Sequence, residues 1–367
     1  MLNESMTSNA VSLPPPQLLE AWQRLRQDEP GLRARDLAER LGVSEGELVA
    51  SRCGDGVTRL EGPWSDLIYA LPTLGHVMVL TRNDSCVHEK KGTFAHIEIG
   101  GVMGVVLDEA IDLRLFLNHW RHGFAVREES RGRWLQSLQF FDGDGRAVHK
   151  IYLTDSSYHD AWNSLVGRFT AGVQSPLLEL HTVADPLPHL LNDDAVDVDA
   201  LRAGWRAMRD PHDFFALLRR QQVTRVQALH LVGKEFARPV AKAAIRTVLE
   251  TAAVDGLPIM VFVGSPGVVQ IHTGPVRNIK AVGPWINVLD EDFNLHLRED
   301  HIAESWVVQK PTPEGNVTSL ELYDARGVQI VQLFGKRKPG IPELEAWRTL
   351  VNSLADGEAV PSETTHA

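Results

Sequence analysis

Cysteine is almost missing from this chain: Cys53 and Cys86 are the two in 367 residues. With no CxxC spacing they supply neither a disulfide framework nor a structural zinc site, and two reduced thiols are expected. Long apolar runs are missing as well; none approaches the ~20 residues that cross a bilayer, so membrane insertion is not expected. The opening stretch MLNESMTSNAVSLPPPQLLEAW has no basic segment followed by an apolar one, so it does not read as a signal peptide. The cytoplasm is the expected location. A surplus of positive charge is absent too: the formal charge is −11. That argues against a protein held mainly by nucleic-acid phosphates, which need a basic surface, while leaving room for a local basic patch. No Walker loop, GxGxxG, HExxH or GxSxG motif occurs, and GSPGVV lacks the lysine and the following helix of a phosphate loop. With no flavin or nicotinamide motif, any reducing equivalents would come from outside the chain.

What the chain does have is a copy of itself. HVMVLTRNDSCVHEKKG matches PIMVFVGSPGVVQIHTG, with Met78 on Met260, Val87 on Val269 and Gly92 on Gly274, each pair 182 apart (260 − 78 = 182). The register continues without a gap. VLDE at 106–109 returns as VLDE at 288–291, and SLQFFDGDGRAVHKIYL at 137–153 as SLELYDARGVQIVQLFG at 319–335. This is a tandem duplication, and repeats of this kind decide the architecture before any local reading does. Two similar lobes follow, 15–180 and 201–355. Between them, residues 181–200 carry two prolines and five aspartates and read as a linker. The first ~14 residues and the tail ADGEAVPSETTHA read as disordered ends.

Each half opens with helical spacing and continues as short β-branched and aromatic runs divided by turn signals, DGDG at 142–145 being the strongest. The fold class is therefore α+β, each lobe holding helices and a mostly antiparallel sheet. Helices are expected to interrupt the strands at 112–123 and 294–304. TRNDSCVHEKKGTF, residues 81–94, is dense in polar groups and reads as a loop of open function. LAERLGVSEGELVASR resembles a helix-turn-helix, with Gly42 in the turn, Ser44 as N-cap and Glu47 three residues on. Its second helix has two glutamates and no lysine or arginine, which leaves a DNA-binding regulator as a remote alternative. The chain has nine Trp, and these need large cores or flat pockets. Of its 15 histidines, His119 and His122 lie three apart but flank Trp120 without a third ligand, and read as a surface pair.

RDPHDFFALLRR, residues 209–220, is different. Asp210 can cap a helix, Pro211 suits its first position and His212 falls next. The helix N-terminus disfavours an imidazolium, and neutral imidazole is the form that ligates a metal. Phe214 and Phe215 add apolar surface beside it. Read alone, a histidine there is more often an incidental polar residue than a metal ligand.

The strings TRNDSCVHEKKG, IDLRLFLNHW, DPHDFFALL, GLPIMVFVG, QIHTGPVRNIK, WINVLDEDFNLHL, VQKPT and QLFGKRKPG, spread over both halves, resemble the bacterial cytoplasmic haemin-binding or haemin-degrading family of the HemS, ChuS and PhuS type. The resemblance implies two similar lobes with a ligand cleft between them and haem as cofactor. It implies His212 as axial ligand of the haem iron and Arg114 as the distal arginine, catalytic only if the protein degrades haem. It places Phe116 near the macrocycle and Lys310 and Arg337 among the residues lining the haem site. Aligned across the repeat, Arg114 falls on His296 and Lys310 on Glu128, so the halves diverge at these positions. Where some family members carry further histidines after the ligand, this chain has Asp213 and Phe215. The implied function is to receive imported haem and hand it on for iron release. An inner-membrane importer and a haem oxygenase are then the implied partners. The alternative is an enzyme that opens the porphyrin itself, and the fold does not decide between them.

Overall fold

Repetition in the sequence becomes repetition in the backbone. The computed structural model describes residues 13–130, 132–181, 190–338 and 340–357. Most of both expected disordered ends, and residues 182–189 of the expected linker, lie outside the described residues. The first half runs α1 (Pro15–Asp28), α2 (Ala34–Leu41), α3 (Glu45–Ala50), β1 (Val57–Leu60), α4 (Trp64–Ala70), β2 (Gly75–Arg82), β3 (Cys86–Thr93), β4 (Ile97–Gly100), β5 (Met103–Leu107), β6 (Asp112–Phe116), β7 (His122–Ser130), β8 (Arg133–Phe141), β9 (Ala147–Ser157) and α5 (His159–Phe169). The second runs α6 (Val198–Arg206), α7 (Asp213–Gln221), α8 (Arg225–Val232), β10 (Ala237–Val240), α9 (Ala244–Asp255), β11 (Ile259–Gly264), β12 (Val268–Gly274), β13 (Ile279–Val282), β14 (Trp285–Leu289), β15 (Phe293–Arg298), β16 (Glu304–Thr312), β17 (Gly315–Tyr323), β18 (Gln329–Gly335) and α10 (Glu345–Asn352). Moved by 182 residues, the bounds of β4, β5, β7 and β8 land on those of β13, β14, β16 and β17. The duplicated α+β fold stands as expected.

The chain forms two compact units. One comprises residues 13–78, Ile97–Gly104 and 115–181 of the described chain; the other comprises Val79–His96, Val105–Arg114 and 190–357. In the first unit the strand order is β1–β7–β8–β9–β2, with β1, β7, β8 and β9 pairing antiparallel in that sequence. The segment that resembles a helix-turn-helix lies here. Gly42 takes φ +68° at the end of α2, where only glycine is unstrained. The Ser44 hydroxyl accepts from the Glu47 N–H at 3.2 Å while the Glu47 carboxylate accepts from the Ser44 N–H at 2.8 Å. Val49 and Ala50 of α3 pack on Val57, Phe124 and Phe141. The pair is thus part of the wall of its own sheet.

In the second unit one ladder runs β10–β16–β17–β18–β11–β12–β6–β5, and a second runs from the end of β2 through β3, β15, β14 and β13. Where directions are resolved they are antiparallel. Apolar side chains of both, among them Val261, Val263, Leu295 and Leu297, share one core with α9 and α10.

Three expectations are corrected here. Residues 112–123 and 294–304 are not helical; each is a short strand, β6 or β15, then a single 3₁₀ turn, at Leu117–His119 and at Glu299–His301. Leu113 and Leu115 are buried while Asp112, Arg114 and Phe116 are half-buried, the alternation of a strand rather than a helix stripe. Pairing with a partner remote in sequence outweighs helix propensity. Residues 81–94 are not a loop but a β-hairpin of β2 and β3. Its turn is closed by the side-chain amide oxygen of Asn83, Oδ1, which accepts from the N–H groups of Ser85 and Cys86 at 3.0 and 2.9 Å.

The polarity that disguised β3 points inward. His88 and Lys90 are buried, as are their repeat equivalents on β12, Gln270 and His272. The Gln270 amide donates to His88 Nδ1 at 2.8 Å, and the Lys90 ammonium donates to His272 Nδ1 at 3.0 Å. Each bond joins a residue to its own copy, since 88 + 182 = 270 and 90 + 182 = 272. The His272 ring stacks on Phe293 with centroids 3.8 Å apart. Burial holds both imidazoles neutral, with His272 pushed down to about 3.

Candidate functional site

Helix α7 is placed by its apolar face. Phe214, Leu217 and Leu218 are buried against Trp205, Phe236, Trp306 and Tyr323. The Trp205 and Phe214 rings meet edge to face at 4.6 Å. Gly204 of α6 lets the two helices approach closely: a Cβ there would lie 2.4 Å from Leu217 Cδ1.

The turn that leads into α7 is closed by two carboxylates. Asp213 accepts from the N–H groups of Arg209 and Asp210, both at 3.1 Å, and Asp210 accepts from the His212 N–H at 2.8 Å. Pro211, with no N–H to satisfy, fits between them. The helix begins at Asp213, with His212 as its flanking residue, later than the cap at Asp210 that the sequence suggests. The reason is the extra turn in which the Asp213 N–H reaches the Asp210 carbonyl at 2.9 Å.

His212 stands out from this turn, its side chain 91% exposed. Its Nδ1 lies 2.5 Å from Asp210 Oδ1. An ionised carboxylate only accepts, so Nδ1 carries the proton and donates, leaving the Nε2 lone pair as the free donor to a metal. The His212 N–H, then the imidazole itself and the charge of Arg337, hold Asp210 below the usual carboxylate range. Three residues on, the Phe215 ring is 63% exposed, unusual for so large an apolar group.

The other expected site residues divide. Arg337 is near enough for its charge to help lower the Asp210 carboxyl. Arg114 on β6 is 37% exposed and tied to its own strand, donating to the Asp112 carboxylate and, at 3.2 Å, to the Leu113 carbonyl. Phe116 falls on the same face of that strand, half-buried. Lys310 is 3% exposed. Its ammonium donates to the fully buried Glu321 at 2.8 Å and sits 4.8 Å over the Phe214 ring. Arg225 binds the other Glu321 oxygen at 3.1 Å and lies 5.1 Å over the same ring. The hydroxyls of Ser319 and Tyr323 also donate to Glu321, at 2.8 and 2.5 Å. Burial alone would raise the Glu321 carboxyl, but Arg225 and Lys310 outweigh it and hold it well below the usual range. A buried ion cluster thus props up the helix that carries His212.

Asp210, Glu321 and Arg225 were not singled out as site residues from sequence. The Asp-x-His spacing was a usable signal for the first; the other two become neighbours only once β16, β17 and α8 are folded. His122, expected on the surface with His119, is half-buried, and burial followed by the charge of Arg59 pushes its imidazole down to about 4. Among the described residues, no group of three or more His, Cys, Asp or Glu is arranged to hold a bare metal ion, and no helix is long and apolar enough to cross a membrane. One oriented imidazole, an exposed aromatic ring and an arginine whose charge reaches Asp210 would fit a flat apolar group that carries a metal and acidic substituents.

Comparison with known proteins gives the same direction. The model of the Haemin-degrading HemS.ChuX domain matches twice, at residues 42–169 and 222–354. The Hemin transport protein HemS of Yersinia enterocolitica is 42% identical over 338 residues, 92% of this chain and 97% of that protein. The crystal structure of holo-PhuS, a heme-binding protein from Pseudomonas aeruginosa, superposes with a TM-score of 0.91 at 48% identity, covering 94% of this chain and all of the other. The heme degrading enzyme ChuS of Escherichia coli O157:H7 superposes with a TM-score of 0.88 at 39% identity, covering 93% and 100%.

Proposed function

The chain belongs to the haemin-degrading HemS/ChuX family, and from that premise we propose that it takes up haem on the exposed end of α7 and hands it on for iron release. The observation that carries the reading is the imidazole of His212: 91% exposed, with Nδ1 anchored and Nε2 open, beside an exposed phenylalanine. Haem is a flat apolar disc with two carboxylates. Phe215 can cover part of the disc, Arg337 can meet a propionate, and His212 Nε2 can occupy one axial position. Bound haem would supply redox-active iron, which His212 would hold through Nε2. Phe116 is assigned to packing on the macrocycle. Lys310 acts from beneath, through Phe214, because its charge is spent on Glu321. The halves 15–180 and 201–355, joined by 181–200, are taken as descendants of one ancestral unit. The reading places the protein in the cytoplasm, between an inner-membrane importer and a haem oxygenase.

Arg114 favours a second reading, in which the chain opens the porphyrin itself. Its guanidinium is partly exposed and steadied by Asp112, and can donate to a ligand of the iron. The 39% identical Escherichia coli relative is a heme degrading enzyme.

One pair of experiments tests both. Haem titrated into the protein should co-elute with it on a sizing column, and His212→Ala should weaken binding at least ~10-fold, about 1.4 kcal/mol, and move the Soret band. Unchanged affinity and spectrum would remove His212 from the site. The loaded protein is then exposed to reductant and catalase under air. Loss of the Soret band with a tetrapyrrole product, abolished in Arg114→Ala, supports the enzyme; an unchanged spectrum with transfer to an oxygenase supports the carrier.

A further inference from the structure

Asp210 is not an iron ligand, yet the geometry points to a defined task for it: we infer that Asp210 is a positioning residue that sets the tautomer, ring angle and electron donation of the His212 imidazole. The inference rests on haem ligation by His212, proposed above.

Two hydrogen bonds converge on one carboxylate oxygen. Asp210 Oδ1 accepts from the His212 backbone N–H at 2.8 Å and from the ring Nδ1–H at 2.5 Å. The first fixes the backbone of the residue and the second fixes its ring. The dyad is local to the turn, spanning two residues, so it is set before any ligand arrives. Without it, a histidine with its side chain 91% exposed would turn freely about two bonds and divide between tautomers, only one of which offers Nε2. Ordering it beforehand removes that cost from binding.

The carboxylate also changes the donor. A charged acceptor on Nδ1–H pushes electron density toward Nε2, strengthening its bond to a cation and favouring the ferric over the ferrous ion. The rest of the surroundings do not compete for the ring: Asp213 is occupied by the N–H groups of Arg209 and Asp210, and Phe215 offers no acceptor.

The test compares wild type, Asp210→Asn, Asp210→Glu and His212→Ala in the full chain loaded with haem. Asparagine is chosen because it can still accept the backbone N–H and keep the turn. Haem affinity should fall ~10–100-fold in Asp210→Asn, the usual cost of losing a partner of a metal-bound histidine. A loss of turn structure alone would do no more than that. The distinguishing readouts are the iron–histidine stretching band of the reduced protein and the midpoint potential. In Asp210→Asn the band should move to lower frequency and the potential should rise, and Asp210→Glu should restore both in part. If Asp210→Asn binds haem through His212 with band and potential unchanged, the positioning role is overturned while ligation stands. If His212→Ala keeps the wild-type band, ligation itself fails and the inference falls with it.

Discussion

Glu321→Gln should be far more damaging than its distance from the surface suggests. Glu321 is fully buried and is the counter-charge of two cations, Lys310 at 2.8 Å and Arg225 at 3.1 Å. The glutamine keeps the volume and some hydrogen bonds but leaves both cations unpaired. Burial already pushes the Lys310 amine down, so it can shed its proton. The Arg225 guanidinium cannot. Breaking a buried pair from one side costs ~3–5 kcal/mol, against a total stability of ~5–15 kcal/mol. For a unit of this size that is a fall in melting temperature of roughly 6–20 °C. The assay is urea unfolding followed by tryptophan fluorescence, with Trp205, Trp306 and Trp347 buried in the same unit as reporters. Adding Lys310→Met to Glu321→Gln should recover part of the loss, because a buried amine that must otherwise shed its proton or stay charged without its carboxylate is gone. Haem affinity should fall with Glu321→Gln as well, since Phe214 and its helix lose their support. A loss below ~1 kcal/mol, or a double variant no more stable than the single one, would refute the reasoning.

Acid should unfold the protein through its buried imidazoles. His149 and His272 are each pushed down to about 3 by burial, His272 also by Lys90, whereas the unfolded chain takes up protons at about 6.5. The unfolded state therefore binds protons first: stability is untouched above pH ~6.5 and falls below it by ~1.4 kcal/mol per pH unit per histidine, down to about 3. Urea midpoints from pH 7 to 4.5 should show this, and a slope unchanged in His149→Phe would remove that residue from the account. Two glycines should respond oppositely to alanine in the same unfolding assay. Gly204→Ala drives a methyl into Leu217 and should cost ~1–3 kcal/mol, while Gly167→Ala, in open space within α5, should gain ~0.4–1 kcal/mol; equal effects would mean that α6 and α7 can part without cost. Arg114→Ala should leave stability within ~0.5 kcal/mol, since its bonds stay within one strand and it is partly exposed; a larger loss by urea unfolding would make it a structural residue.

The duplication was the most informative feature of the sequence, because a constant offset of 182 fixes which segments must share a conformation. It also held the remedy for the hairpin at 81–94: VVQIHTG reads as a strand, and its aligned copy CVHEKKGT had to be one too. What hid it was His88 and Lys90 at inward positions, where alternation rules expect apolar groups. Their partners, Gln270 and His272, lie too far along the chain for any local window to reveal. The strands at 112–116 and 293–298 were obscured differently. Leucine, arginine and aspartate there tolerate a helix, and only a neighbouring strand from elsewhere in the chain decides against it. At the site, His212 was visible as a first-turn histidine with aromatic neighbours, but its orienting carboxylate needed three-dimensional geometry. Lys310 was visible as a basic residue; that its charge is consumed by Glu321 was not.

The pairing of β3 with β15 sets a timetable for synthesis. Thr93 ends β3 and Phe293 begins β15, so 200 residues separate the edge from its neighbour (293 − 93 = 200). At ~5–20 residues per second, a nascent chain carries the unpaired edge for roughly 10–40 s. An unpaired strand edge invites association with other chains emerging nearby. His88 and Lys90, costly once enclosed, are polar groups of the kind that suit an edge left waiting in water, as gatekeeper residues do.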